Sequence, residues 1–139
     1  MYRLRHKKGG GTMKKTILII VNILLIIPFI LFYRRGANVT IAMLPVWFAM
    51  SVINTVFAEN KKDILIYNGC LALFATAGIW LNGQLYFKYV CWDIEGEMVM
   101  NFEMMVEVVY IAVLTAIECP TKHIITKRMA KKQSLTDLK

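Results

Sequence analysis

Three glutamates and one tyrosine recur along the last apolar stretch of this chain, where carboxylates are energetically costly. Together with Leu114 they follow i, i+4, i+7, i+11 and i+15 spacing, which places them on one face of a helix. A charge in mid-membrane costs about 2.5–3.5 kcal/mol on insertion scales, so such residues generally face a bundle interior or a water-filled cavity. The stripe consists of Glu103, Glu107, Tyr110, Leu114 and Glu118.

Glu107 lies near the middle of this apolar stretch and is the strongest candidate for chemistry. Low dielectric and the like charge of Glu103 both favour the protonated form of a carboxyl there. A carboxyl that releases its proton could accept a cationic substrate in exchange, which is the chemistry of a small proton-coupled transporter. Two structural interpretations compete with this one. Glu107 could hydrogen-bond a neighbouring helix, or the span could begin near Met104 and leave Glu103 among lipid headgroups.

The elements that must position the stripe are four apolar runs of 18, 20, 24 and 20 residues. About 20 apolar residues suffice for a helix to cross a hydrocarbon core of roughly 30 Å. A soluble bundle is disfavoured because the first run has no polar stripe at helical spacing, only Asn22. We therefore expect an all-α integral membrane protein built as a four-transmembrane-helix bundle. The predicted spans are Thr16–Tyr33, Val39–Ala58, Ile64–Phe87 and Met98–Ile117.

The distribution of Lys and Arg predicts that both termini are cytoplasmic. With the N-terminus inside, the cytoplasmic segments from Met13 onward hold ten of these residues and the outer loops hold three. The first run is longer than a typical signal-peptide core, and no Ala-x-Ala site follows it. We therefore expect it to be retained as a span.

The sequence predicts three segments along the chain. Residues 1–12 form a basic and glycine-containing leader, and Met13 followed by two lysines is typical of a bacterial start. Whether the leader is native stays open, the alternative being a genuine basic arm with a glycine hinge. Residues 13–120 form the membrane domain, and residues 121–139 form a basic cytoplasmic tail suited to anchoring at an anionic leaflet. The predicted location is the cytoplasmic (inner) membrane of a bacterium.

Depth along the predicted spans suggests partners for the buried polar groups. Asn82 and Glu103 each lie five residues from the same end of consecutive spans, so they could meet across that hairpin. At the other side, three amides lie at similar depth and are predicted to form an interhelical polar cluster, for which packing is the favoured explanation. The candidate proton or ligand site is Glu103, Glu107, Tyr110 and Asn82, and the candidate cluster is Asn22, Asn54 and Asn68.

Catalytic and metal-binding patterns are not apparent in the sequence. It contains no phosphate-binding loop, nucleophile elbow, zinc signature or paired Ser and His. Cys70, Cys91 and Cys119 share no CxxC spacing and are expected to be structural thiols. We predict no enzyme activity, no cofactor and no metal.

Three functions remain open at this stage. The favoured one is a non-enzymatic accessory, assembly or immunity-type subunit that binds a larger membrane protein, because the short loops leave no separate domain. The alternative is a small proton-coupled transporter using Glu107 with Glu103, and a holin-like pore is third. The expected partners are the lipid bilayer and either a homo-oligomer or a larger membrane protein. Nucleic acid is not expected, because no aromatic motif accompanies the basic tail.

Overall fold

The computed structural model describes residues 2–35 and 37–138, with the side chains of residues 11–35 and 38–138. Helices dominate these residues and no strand occurs in them, which confirms the all-α prediction. The elements are α1 (Tyr2–Leu24), α2 (Ile27–Leu31), a 3-10 helix (Tyr33–Arg35), α3 (Ala37–Phe57), α4 (Lys61–Tyr89) and α5 (Ile94–Asp137).

Three segments within these helices are long and apolar enough to cross a membrane, which supports a membrane protein. They are Gly11–Leu31, Asn38–Phe57 and Lys61–Tyr89, and they overlap the first three predicted spans. The fourth predicted span lies inside α5, a helix of 44 residues that runs well past Ile117.

A proline divides the first of these segments into two helices. Pro28 has no N–H with which to continue the α-helical hydrogen bonding of α1, so the helix ends at Leu24. Tighter bonds follow, from Ile26 N to Ile23 O and from Phe29 N to Ile26 O, each 3.1 Å long. The short helix α2 then begins at Ile27. Pro45, in contrast, lies inside α3 without ending it.

The two ends of the bundle are distinguished by their turns. The double-turn end holds the connections at residues 32–35 and 90–93, and the tail end holds the turn at 58–60. At the tail end, the Asn60 side chain caps α4 by accepting a 3.0 Å hydrogen bond from Asp63 N. Lys15 Nζ lies 3.5 Å from Asp63 Oδ2, which ties α1 to the start of α4.

Helix α4 is the centre of the bundle, because its contacts with the other helices of the described structure are the most extensive, although α3 also contacts each of them. Its small residues allow this close approach. The Phe29 ring is completely buried and stacks on Trp47 with 5.9 Å between centroids. A methyl group built on Gly78 would lie 2.6 Å from the same Phe29 ring. The broken first segment therefore packs through Phe29 against a position where α4 has no side chain.

This packing predicts that Gly78→Ala destabilises the fold, although alanine is the better helix former. The added methyl group would displace a ring held between α3 and α4, and overpacking of this kind costs about 1–3 kcal/mol. Gly69→Ala is the matched control, because a methyl group there meets nothing within 4 Å and should stabilise the helix by about 0.5–1 kcal/mol. The measurement is the free energy of unfolding in mixed micelles with a denaturing detergent. Equal effects of the two substitutions would contradict this account of the packing.

Candidate functional site

The acidic stripe of α5 faces the seam between α3 and α4. Thr40 Oγ1 on α3 donates a 3.2 Å hydrogen bond to Glu103 Oε2, and the Tyr110 hydroxyl donates one of 3.2 Å to Leu44 O. Leu114 is partly buried on the same face. The stripe residues therefore share one face, but each bonds to its own partner and they form no cluster with one another.

Glu107 is completely buried and bonds to α4. Thr76 Oγ1 lies 2.7 Å from Glu107 Oε2 and 2.8 Å from the Ala72 carbonyl oxygen. Glu107 Oε1 is buried without a hydrogen-bond partner among the described residues. Thr76 is thus the one described group that hydrogen-bonds this carboxyl.

The two short contacts of Thr76 indicate which protonation state of Glu107 fits the geometry. A threonine hydroxyl has a single hydrogen, so it cannot donate fully to both the Ala72 carbonyl and the carboxyl. A protonated Glu107 satisfies both contacts, because it can donate to Thr76 Oγ1 while Thr76 donates to the carbonyl. A neutral acid also avoids the large cost of an uncompensated charge in the interior. The geometry therefore favours a protonated Glu107.

The three asparagines form a continuous chain of hydrogen bonds across α1, α3 and α4. Asn22 Nδ2 donates to Leu18 O at 2.9 Å and to Asn54 Oδ1 at 3.1 Å. Asn54 Nδ2 donates to Asn22 Oδ1 and to Asn68 Oδ1, both at 3.2 Å. All three residues are at most 1% exposed. The structure thus brings together the amides that the sequence places at one depth.

This chain ends on α5, at the last carboxyl of the stripe. Asn68 Nδ2 donates to Thr115 Oγ1 at 3.0 Å and to Glu118 Oε2 at 3.1 Å. Glu118 Oε2 also accepts hydrogen bonds from Ser51 Oγ at 2.8 Å and Thr55 Oγ1 at 2.7 Å. Three donors therefore converge on one oxygen of Glu118, whereas Glu107 has one described partner. In each carboxyl the other oxygen, Oε1, is buried without a hydrogen-bond partner among the described residues.

One turn beyond Glu118, Lys122 caps the end of α3. Its Nζ donates to Thr55 O at 3.0 Å and to Val56 O at 3.1 Å. These are carbonyls of the last turn of a helix, which have no intrahelical partner of their own. The positive charge also lies at the negative end of the α3 dipole.

Asn82 and Glu103 do not bond to each other, contrary to the contact suggested from the sequence. Asn82 Nδ2 donates instead to Phe29 O, at 2.9 Å, on the short helix created by Pro28. Both side chains nevertheless line one cavity of about 340 Å³ at the double-turn end, together with Arg34 and Arg35. The hydrogen bond from Arg34 to the Tyr33 hydroxyl raises the pKa of Arg34, which keeps this guanidinium charged.

The sequence interpretation missed the hydroxyl groups that bind the carboxyls. Thr40, Ser51 and Thr55 donate to glutamates of α5, and the Thr76 hydroxyl hydrogen-bonds Glu107. Ser51 and Thr55 are four residues apart and so share a helix face, a spacing that could have revealed them. Among the described side chains, no group of three or more His, Cys, Asp or Glu residues is arranged to hold a metal ion.

Comparison of the chain with protein-family models, with curated proteins and with solved structures found no match.

Glu118→Ala is expected to destabilise the bundle strongly, because it leaves three donors on α3 and α4 without an acceptor. At about 0.6–1.7 kcal/mol for each of the three bonds, the loss is roughly 2–5 kcal/mol. Glu118→Gln should lose less, since its amide oxygen still accepts. Asp137→Ala, an exposed acidic position of α5, is the control. Detergent-induced unfolding measures all three, and a Glu118→Ala variant as stable as the control would refute the role of this carboxylate.

Proposed function

We propose that this protein is a non-enzymatic accessory subunit of the cytoplasmic membrane, which docks onto a larger membrane protein through the end of α5. The observation that supports this is the helix formed by residues 123–137, here called the arm. Every side chain of the arm is exposed in the described structure. Isolated helices of this length are marginal in water, because most helical stability comes from packing of an apolar face. An arm of this kind is best explained by a partner that covers it.

The proposed topology has four spans, with α5 contributing the fourth and both termini in the cytoplasm. A helix of 44 residues is about 66 Å long, whereas the hydrocarbon core is about 30 Å thick. The arm therefore extends out of the membrane at the tail end. The excess of Lys and Arg on the tail-end segments supports placing that end in the cytoplasm.

The two sides of the arm differ in chemistry. Two adjacent stripes at three- and four-residue spacing combine cations with large apolar side chains, while the opposite stripe has neither. The first stripe is Ile124, Arg128, Lys131 and Leu135, and the second is Ile125, Met129 and Lys132. The opposite stripe is Thr126, Ala130, Gln133 and Asp137. The mixed basic and apolar side, here called the docking face, fits a partner surface of carboxylates interleaved with apolar groups.

Distance argues against lipid headgroups as the main partner of this face. Lys131 lies 14 residues beyond Ile117, or about 21 Å along the helix axis. The Debye length at physiological ionic strength is about 8 Å, so leaflet phosphates are screened from the distal cations. Lys122, next to the bundle, remains close enough to serve as the leaflet anchor. An acidic cytoplasmic segment of a membrane protein is therefore the proposed partner.

The buried polar groups of the bundle support the same conclusion. The amide hydrogens of Asn22, Asn54 and Asn68 are all used in bonds between or within the helices. Such a satisfied network holds helices in one arrangement. The membrane domain is thus suited to presenting the arm from a fixed scaffold.

Photo-crosslinking tests the docking face directly. A photoreactive amino acid at position 135, on the docking face, should give one discrete adduct with a protein in native membranes. The same residue at position 133, at the same depth on the opposite stripe, should not. Arg128→Gln combined with Lys131→Gln should lower the yield roughly two- to thirtyfold, at about 0.2–1 kcal/mol for each exposed ion pair.

The matched control for this experiment is Thr126→Glu combined with Gln133→Glu, which changes the charge by the same amount on the opposite stripe. It should leave the adduct in place. Mass spectrometry of the adduct should identify an acidic cytoplasmic segment of a membrane protein. Adducts with phospholipid, or equal yields from positions 133 and 135, would overturn the proposal.

A second candidate function, proton-coupled transport, is favoured by the buried and protonated geometry of Glu107. In proteoliposomes under a pH gradient, a transporter would show proton flux that Glu107→Gln abolishes. A glutamine amide can donate to Thr76 as the neutral acid does, so this variant should keep its helix content and stability. Glu97→Gln, an exposed position, is the control. Equal flux in all variants excludes this role, and leakage of small solutes indicates a pore.

A further inference from the structure

The cavity at the double-turn end is a separate feature from the arm and from Glu107. It has a volume of about 340 Å³, within the range typical of small-molecule sites. Residues of the 3-10 helix, α3, α4 and α5 all contribute to its wall. Its apolar lining includes Ile79, Phe87 and Met100. The cavity thus combines a partly apolar wall with a small number of polar groups.

Opposite charges face this cavity without neutralising each other. Arg34 and Arg35 come from the 3-10 helix and Glu103 comes from α5. Neither arginine forms a salt bridge with Glu103 in the described structure. The guanidinium groups and the carboxyl therefore line the same cavity but lie too far apart to form an ion pair.

Each polar group also retains capacity for a ligand. Glu103 uses Oε2 to accept from Thr40, and no other hydrogen bond to it occurs among the described side chains. Asn82 is 6% exposed and uses Nδ2 to donate to Phe29 O. Its Oδ1 accepts no hydrogen bond from the described residues and is not fully buried, so it can accept one from a ligand. Arg34 uses Nε for Tyr33, which leaves the other guanidinium N–H groups.

We propose that this cavity binds a small zwitterion of the amino-acid class, with an ammonium group at Glu103 and a carboxylate at Arg34 and Arg35. A guanidinium recognises a carboxylate through parallel hydrogen bonds, and Glu103 supplies the acceptor for the ammonium. The Asn82 carbonyl oxygen adds a second acceptor. The apolar side chain of the ligand lies against Ile79 and Met100. The volume suits a single amino acid.

Binding by the full chain in nanodiscs, measured by isothermal titration calorimetry, tests this site with three ligands of similar shape. Leucine carries both charges, N-acetyl-leucine keeps the carboxylate alone, and leucinamide keeps the ammonium alone. Leucine should bind at least about tenfold more tightly than either analogue, since a hydrogen bond to a charged group is typically worth that factor or more. This comparison needs no variant and so does not depend on folding of a mutant.

Two substitutions assign the charges to their residues. Glu103→Gln should weaken leucine binding about tenfold or more and leave N-acetyl-leucine unaffected, whereas Arg35→Gln should weaken leucine and leave leucinamide unaffected. Lys88→Gln is the control, a cation of the same end that does not line the cavity. Absence of leucine binding, equal affinity for the three ligands, or leucine binding unchanged by Glu103→Gln would each overturn the proposal. None of these outcomes bears on the docking face.

Discussion

The structure depends on a chain of hydrogen bonds that runs through the interior from Asn22 to Glu118. It passes through Asn54 and Asn68 and so connects α1, α3, α4 and α5. In hydrocarbon there is no water to take the place of a missing partner, and an unsatisfied polar group there costs several kcal/mol. Apolar side chains on the helix surfaces make few specific contacts that could determine which helices pack together. The amides therefore specify which faces of the four helices meet and at what depth.

Two carboxyls on one helix face show how local donors decide the chemistry of a glutamate. Glu118 receives three hydrogen bonds at one oxygen, from Ser51, Thr55 and Asn68. Glu107 has one described partner, Thr76, whose hydrogen is also needed by a backbone carbonyl. The first carboxyl thus has three donors at one oxygen, whereas the second shares one hydroxyl with a carbonyl, an arrangement that a neutral acid satisfies. Spacing in the sequence could place both groups on the seam, but it could not distinguish them, because the hydroxyl donors lie on other helices.

Much of the architecture could be predicted from the chain, and the reasons for the failures are physical. Long apolar runs indicate spanning helices without further information, and depth from the ends of the runs placed Asn22, Asn54 and Asn68 together. Depth alone was insufficient for Asn82 and Glu103, because the short helix α2 ends at Leu31 and leaves the Phe29 carbonyl without a helical partner, and Asn82 donates to it. The cavity between Arg34 and Glu103 was also missed. It forms only when the 3-10 helix brings the arginines beside the start of α5, which is a tertiary arrangement with no local signature.

The contact between Lys122 and the end of α3 has a consequence for how the molecule sits in its bilayer. Its ammonium is held by the carbonyls of Thr55 and Val56, so the charge cannot snorkel freely along the surface as an unattached lysine would. A cation fixed at the tail end of the bundle is more stable among lipid headgroups than in the hydrocarbon core. The end of α3 is therefore tied to a charge that favours the membrane surface, so that moving this end of the helix into hydrocarbon would also bury the lysine.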